Sequence, residues 1–213
     1  MQFDLIITNG YIVDGSGRNK FVSDIGVVGK KISAIGNLAN ATAKNMIDAT
    51  GMIVSPGFID VHAHADGALL IDGQHASGIR QGITTEIIAP DGLTLAPLSK
   101  NNYAMYRWYL SGILGLPPDD LDMSSIEAAR SNYHKKTSCN VAMFAGHGPI
   151  RLETVGFKDI PLVGQDMNNA KNLLRESIEQ GACGFSTGLS YYPNSYSDTK
   201  ELIELCKVVA EFD

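Results

Sequence analysis

The chain has 213 residues, of which 44% are hydrophobic and 19% charged, a composition typical of globular proteins with a sizeable core. Its net charge of -6 argues against nucleic acid as a partner, because no basic stripe is available to neutralise phosphates. No run reaches the ~18 apolar residues of a membrane span, the first residues lack a leader signature, and the three cysteines are widely spaced. We therefore expect a reduced, cytoplasmic protein that does not contact a membrane.

Short β-branched segments fill the first 55 residues. Turn signals such as Asn9-Gly10 and Gly29-Lys30 separate them. The predicted strands cover residues 3–7, 11–13, 24–28, 31–35 and 46–48. So few short strands are too little for an independent sandwich. We predict that residues 1–55 form part of a small β-sandwich domain without chemistry of its own.

From Pro56 onward the pattern changes to alternating strands and helices, which indicates βα units and a parallel sheet. The predicted strands are 58–62, 84–89, 140–145 and 182–186, and the predicted helices are 76–81, 103–110, 125–135, 166–180 and 197–212. A closed (β/α)8 barrel needs eight such units and typically ~250 residues. We predict that residues 56–213 are the N-terminal half of a TIM barrel, and that the native protein is longer. An open sheet, or a homo-oligomer in which two copies pair, would be the alternatives.

The first predicted barrel strand ends in two histidines, His62 and His64. Alternate side chains of a strand share a face and the rise is ~3.3 Å per residue, so the two histidines project together, about 6–7 Å apart. Two imidazoles on one face can hold one metal ion, although such a pair also occurs without metal. Ile59, Val61 and Ala63 are expected to face the other way and to pack under helices.

Further polar residues follow the other predicted strands, at the edge where parallel barrels place their active sites. They are Asp91 after strand two, His147 and Arg151 after strand three, and Tyr191 and Tyr192 after strand four. Asp91 offers a carboxylate to a metal, but Pro-Asp-Gly is also a common turn. We predict that His147 and Arg151 contact substrate, with a loop or scaffold role as the alternative. Tyr191 and Tyr192 would line a substrate pocket or cap the barrel rim.

Several segments together resemble the N-acyl-D-amino-acid deacylases (D-aminoacylases) of the amidohydrolase superfamily. They are the His-x-His strand, residues 82–85 with 95–98, residues 146–151, and residues 184–189 with 195–199. The fourth strand has no lysine, whereas many two-metal amidohydrolases carry a carboxylated lysine at its end. The resemblance runs from residue 2 to the end of the chain and covers less than half of a full family member.

The resemblance implies hydrolysis of a small-molecule N-acyl-D-amino acid to a D-amino acid and a carboxylate. It implies one or two divalent metals, Zn²⁺ or alternatively Mn²⁺ or Fe²⁺, held by His62, His64 and Asp91. Asp91 stands where the family has a cysteine ligand, which is a departure from the family pattern. The family's general-base aspartate and two further histidine ligands lie on later strands. We therefore expect no catalytic residue within this chain and no turnover by the chain alone.

Three functions remain open at this point. The first is an N-acyl-D-amino-acid deacylase, and the second is another amidohydrolase such as a dihydroorotase- or hydantoinase-like enzyme. The absent strand-four lysine argues against the second. The third is a half-barrel that binds a partner or a metal without turnover.

Overall fold

The computed structural model describes residues 2–212, which divide into two compact units. One unit extends to Gly57 and the other starts at Phe58, close to the predicted boundary. Within residues 2–212, no helix is long and apolar enough to cross a membrane.

The first unit is one mixed five-stranded sheet. Its strands are β1 (Gln2–Ile12), β2 (Phe21–Val28), β3 (Lys31–Gly36), β4 (Thr42–Asp48) and β5 (Ile53–Val54). β1 pairs antiparallel with β2 and parallel with β4 and β5, while β3 extends the sheet beyond β2. Phe3 and Ile6 of β1 are buried against this sheet's own residues, such as Gly26, where a Cβ would lie 2.5 Å from the Phe3 ring. The predicted β-sandwich is not confirmed by this single sheet.

The predicted break at Asn9-Gly10 is wrong, because β1 continues through it with a shift in register. Asn9 has a φ of 62°, and the pairing with β2 is irregular between Ile7 and Gly10. The backbone N–H of Asn9 donates to Oδ1 of Asp24 at 3.0 Å, so the displaced residue keeps a hydrogen-bond partner. Turns and irregular strand pairing use the same residue types, which is why the sequence signal was misleading.

The second unit contains short parallel strands in two sheets. They are β6 (Phe58–Asp60), β7 (Ile83–Ile88), β8 (Asn140–Met143), β9 (Ala145–Gly146) and β10 (Phe185–Ser186). β7 pairs with β6 and β8, and β9 pairs with β10. Only Phe144 separates β8 from β9, so four strand segments follow one another in chain order. This order is the one expected for four consecutive βα units.

Eight α-helices accompany these strands within residues 2–212. They are α1 (Asp66–Ile71), α2 (Ala76–Ile79), α3 (Lys100–Tyr109), α4 (Ser111–Leu114), α5 (Ile126–Tyr133), α6 (His147–Thr154), α7 (Gly164–Glu179) and α8 (Thr199–Val209). Ser125 Oγ caps α5 by accepting from Ala128 N at 3.0 Å, and Asp198 Oδ1 caps α8 by accepting from Glu201 N at 2.8 Å.

Three helices were not predicted, namely α1, α4 and α6. The most consequential is α6, because it starts at His147, where Gly-His-Gly-Pro predicted a loop. Pro149 lies in its first turn, where a missing backbone N–H costs no intrahelical hydrogen bond. As a result, His147 and Arg151 lie on one helix, four residues apart, and point to the same side.

The apolar core of the second unit joins its strands to its longer helices. Fully buried members are Ile88 of β7, Tyr106 of α3, Ile126 of α5, Leu174 of α7 and Leu205 of α8. Each such side chain contributes roughly 1.5–3 kcal/mol of burial free energy. This core fixes the ends of the strands, where the polar residues gather.

The first strand of this unit is shorter and less covered than predicted. β6 ends at Asp60, and β7 is its partner among the described strands. Ala63 is buried as predicted, but Ile59 and Val61 are 60% and 63% exposed. Within residues 2–212 these two side chains do not pack under helices, contrary to the prediction.

Candidate metal centre

The structure brings His62, His64 and Asp91 together beyond the ends of β6 and β7. Nε2 of His62 lies 3.4 Å from Oδ2 of Asp91, and Nε2 of His64 lies 3.3 Å from the same oxygen. One ligand atom from each residue lies within 4.8 Å of the others. The two imidazole rings meet edge to face, with centroids 5.4 Å apart. The histidines converge as predicted, although the strand ends before them.

These donors fit a divalent metal in type and in spacing. Two bonds of ~2.0–2.1 Å at a tetrahedral angle separate neighbouring donor atoms by about 3.3 Å. The two nitrogen–oxygen distances agree with that value and exceed the ~2.7–2.9 Å of a charge-assisted hydrogen bond. The side chain of His62 is 60% exposed, so the cluster is open to solvent on one side. Imidazole nitrogen and carboxylate oxygen are both donors that Zn²⁺ accepts.

Asp91 reaches the histidines from a turn with an unusual backbone. The 3₁₀ turn Pro90–Gly92 follows β7, and Ala89, Asp91 and Gly92 have φ values of 66°, 57° and 69°. A non-glycine residue in this left-handed region costs of order 1–3 kcal/mol unless its surroundings hold it there. The Pro-Asp-Gly sequence thus forms the predicted turn, and the turn also delivers the carboxylate to the cluster.

Ser186, the last residue of β10, forms hydrogen bonds with residues at both ends of this turn. Its Oγ accepts a hydrogen bond from Gly92 N at 3.0 Å and donates one to Ala89 O at 2.5 Å. This serine stands at the strand-four end, where we noted the absence of a lysine.

Asn194 holds the middle of the same turn. Its side chain is fully buried, and Nδ2 donates to the carbonyl oxygens of Asp91 at 3.1 Å and Gly188 at 3.3 Å. Gly188 itself lies against Asp91, since a Cβ at position 188 would come within 2.7 Å of Asp91 O and 2.8 Å of Asp91 Cβ. The close approach therefore requires glycine at this position.

Asp66, at the start of α1, is a further buried contact of the turn. Its Oδ2 accepts from Ala89 N at 3.3 Å. Burial raises the pKa of Asp66 to about 7, and hydrogen bonding offsets this only in part. Asp66 follows His64 by two residues in the sequence, and its side chain is fully buried.

His147 and Arg151 lie outside the group of clustered ligand atoms, in a buried network with Glu201 of α8. His147 Nε2 is 2.7 Å from Glu201 Oε1, and Nδ1 is 2.8 Å from Thr187 Oγ1. Arg151 Nη1 donates to both carboxylate oxygens of Glu201, at 2.7 and 2.5 Å. All three side chains are 0% exposed. This burial speaks against the predicted substrate contact of His147 and Arg151 and favours the alternative, a scaffold role.

The charge of Glu201 is maintained by its partners. Burial raises the pKa of Glu201, but the hydrogen bonds from His147 and Arg151 outweigh burial and hold the pKa below its ordinary value. The network joins α6 to α8, and it also fixes Leu162 N, which donates to Glu201 Oε2 at 3.2 Å.

Tyr191 and Tyr192 lie in the loop between β10 and α8. Tyr191 is half-buried against the core, whereas Tyr192 is exposed, with its ring 5.0 Å from that of Tyr196. Asn194, two residues after Tyr192, donates to Asp91 O, so the loop runs beside the Asp91 turn. Their contact with substrate stays a prediction.

Sequence reasoning assigned no supporting role to Asp66, Ser186 and Asn194, which contact the Asp91 turn, or to Glu201, which pairs with His147 and Arg151. Ser186 could have been found, since it ends a strand at the functional edge. Asn194 follows a proline in a turn-like segment, and Glu201 resembles an ordinary first-turn helix acid, so neither carried a distinguishing signal.

Candidate metal-ligand side chains that follow consecutive parallel strands are typical of metal-dependent α/β proteins. The profile of the Amidohydrolase family matches residues 45–134. The D-aminoacylase of Alcaligenes xylosoxydans xylosoxydans is 31% identical over 96% of this chain, and the N-acyl-D-glutamate deacylase of the same organism is 33% identical over 98%. The chain spans 42% of the length of each of these two relatives.

The chain is also similar to a solved structure of a deacylase. The N-acyl-D-glutamate deacylase of Bordetella bronchiseptica, complexed with zinc and a phosphonate mimic of the tetrahedral intermediate, has a TM-score of 0.87 and 32% identity. The match covers 100% of this chain and 44% of that one. Along nearly its whole length, the chain is therefore similar to N-acyl-D-amino-acid deacylases of the amidohydrolase type.

Proposed function

We propose that this chain is the N-terminal part of a metal-dependent hydrolase that converts an N-acyl-D-amino acid and water to a D-amino acid and a carboxylate. The observation that carries the proposal is the convergence of His62, His64 and Asp91 on a space of the size that a metal ion needs. The similarity to D-aminoacylase and N-acyl-D-glutamate deacylase suggests the class of substrate.

We infer Zn²⁺ as the metal, supported by the donor set and by the zinc in the Bordetella bronchiseptica structure. The carboxylate of Asp91 is a harder ligand than the family's cysteine and would accept Mn²⁺ or Fe²⁺ more readily. His62, His64 and Asp91 would hold a divalent ion, whose chemistry would be to polarise the scissile carbonyl and to lower the pKa of a water toward ~7. The part of His62, His64 and Asp91 is to hold the ion with one side open to the substrate.

The finer architecture is part of the proposal. The four parallel strand segments would be the first half of a (β/α)8 barrel, and the sheet of the first unit would belong to a small β-sandwich. The general base and the remaining ligands would come from residues outside this chain, as in the family. Tyr191 and Tyr192 would then border the substrate pocket, because their loop lies beside the Asp91 turn.

Two other functions are outcomes of the same test. A dihydroorotase- or hydantoinase-like activity would act on cyclic amides, and Ser186 at the strand-four end argues against it. A half-barrel without turnover would bind metal only.

The test is a substrate panel on the native protein, after its intact mass has been compared with the 22.9 kDa of this chain. We expect a larger mass and hydrolysis of N-acyl-D-glutamate or a related N-acyl-D-amino acid, with the L-enantiomers as controls. Preferential hydrolysis of dihydroorotate or a hydantoin would replace the deacylase assignment. Metal binding without turnover of any amide, in a protein of 22.9 kDa, would leave the non-catalytic function.

A further inference from the structure

We propose that Ser186 and Asn194 are positioning residues that hold Asp91 in place as a metal ligand. This inference rests on the proposed metal site and deepens it. It assigns to the fourth strand an indirect role in metal binding, exercised through the backbone of the turn after the second strand.

The backbone conformation of the Asp91 turn needs support from residues outside the turn. Ala89 and Asp91 both have left-handed backbones, which non-glycine residues avoid in a free chain. The turn lies beyond β7, so no strand ladder fixes Pro90 to Gly92. One backbone hydrogen bond, from Leu93 N to Pro90 O at 3.0 Å, closes the turn. Hydrogen bonds from outside the turn add the further support that keeps the carboxylate pointed at the histidines.

Ser186 supplies two of these hydrogen bonds with one hydroxyl group. Because Oγ accepts from Gly92 N and donates to Ala89 O, it bridges the residues on either side of Pro90 and Asp91. A methyl group in its place would leave both backbone groups without this partner. A lysine would not fit the same purpose, since an ammonium group donates only.

Asn194 supplies the contact to Asp91 itself. Its amide donates to the Asp91 carbonyl from a fully buried position, so water cannot readily replace it. The same amide also donates a hydrogen bond to Gly188 O, and Gly188 packs against the Cα and Cβ of Asp91. Asp91 is thus enclosed on its backbone side and free on its carboxylate side.

In a metal site, this enclosure of Asp91 would affect metal affinity. Metal–ligand distances are defined to within about 0.2 Å, so a small rotation of the turn moves Oδ2 out of bonding range. Supporting hydrogen bonds around metal ligands typically change metal affinity by 10–100-fold when they are removed.

The experiment measures Zn²⁺ affinity of the 213-residue chain by chelator competition, and Co²⁺ absorption as a report of coordination. We expect S186A and N194A each to weaken Zn²⁺ binding by about 10–100-fold and to alter the Co²⁺ spectrum. The matched controls are S177A, which removes a buried hydroxyl bonded to Leu173 O, and N132A, which removes an amide bonded to Asp122 O. Neither control should change the affinity.

Two further measurements distinguish a positioning role from a general loss of structure. One is rescue of Zn²⁺ binding by a conservative variant, and the other is the effect of each substitution in a D91A background. S186T retains the hydroxyl and should bind Zn²⁺ close to normally, and S186C replaces S186A if circular dichroism shows that the alanine variant does not fold. In a D91A background, S186A and N194A should cause no further loss, because their effect passes through Asp91.

Each remaining outcome is decisive. Equal losses with and without Asp91 would overturn the positioning role, as would unchanged affinity in S186A and N194A while D91A binds weakly. In the latter case the metal site itself would stand. If D91A binds Zn²⁺ normally, the ligand assignment fails and this inference fails with it.

Discussion

His64 Nε2 and Asp91 Oδ2 are 3.3 Å apart, although the two residues follow different strands of the sheet. The pairing of β6 with β7 sets this distance, because parallel strands end at the same edge. The proposed metal site thus draws its three donors from the ends of two paired strands.

We therefore expect H64A and D91A to weaken Zn²⁺ binding by the 213-residue chain by at least about 100-fold, the upper range for loss of a supporting residue. The measurement is isothermal titration calorimetry at constant pH. The matched controls are H134A and D120A, since both side chains are exposed and outside the cluster. Undiminished zinc stoichiometry in D91A would remove Asp91 from the ligand set.

Gly188 offers a test of crowding at the same site. A Cβ at this position would lie 2.7 Å from Asp91 O, so we expect G188A to displace Asp91 and to reduce Zn²⁺ affinity by about 10-fold or more. The control is G112A in α4, where a Cβ would meet nothing within 4 Å. Normal affinity in G188A would mean that the turn can move without losing the ligand.

Removing Glu201 should destabilise the second unit strongly. In E201A the buried guanidinium of Arg151 loses both carboxylate contacts, and breaking a buried ion pair costs about 3–5 kcal/mol. Urea denaturation measures the free energy of unfolding. The control is E204A on the same helix, which loses only surface pairs with Lys171 and Lys207 and should unfold almost normally. Similar losses in both variants would contradict the buried role.

Glu201 should also make the stability of the chain depend on pH. Its folded-state pKa lies below the ordinary 4.5, so the stabilisation is fully present above pH 4.5 and is lost as the pH falls through the folded-state pKa. We expect the unfolding free energies of the unchanged chain and of E201Q to converge as the pH falls from about 6 to about 3. A difference that stays constant over this range would show that protonation of Glu201 does not matter.

The fold was predictable where local signals agreed. The alternation of strands and helices predicted the parallel strands of the second unit, in chain order. The start of α6 was not predictable, because Gly146 and Gly148 flank His147 and glycine favours loops. Tertiary contacts, above all the pairing of His147 with Glu201, override that local preference.

The candidate site was predictable in its donors but not in its supports. His62 and His64 follow from a spacing of two residues, and the Asp91 position follows from the end of the next strand. Ser186 and Asn194 reach the Asp91 turn only through the folded chain, and no local pattern marks a hydroxyl or an amide for that purpose. Arg151 was assigned to substrate because a strand-end arginine suits carboxylates, and its carboxylate proved to be internal.

The hydrogen bonds that hold the Asp91 turn have a consequence for the order of folding. Asn194 lies 103 positions along the chain from Asp91, and Ser186 lies 94 positions from Gly92. Contacts between such distant residues form late, since a long loop must close before they can form. During synthesis the two histidines and the aspartate emerge well before these partners. The proposed ion site would therefore take its full shape only after the loop preceding α8 has docked, and metal capture would be a late event in maturation.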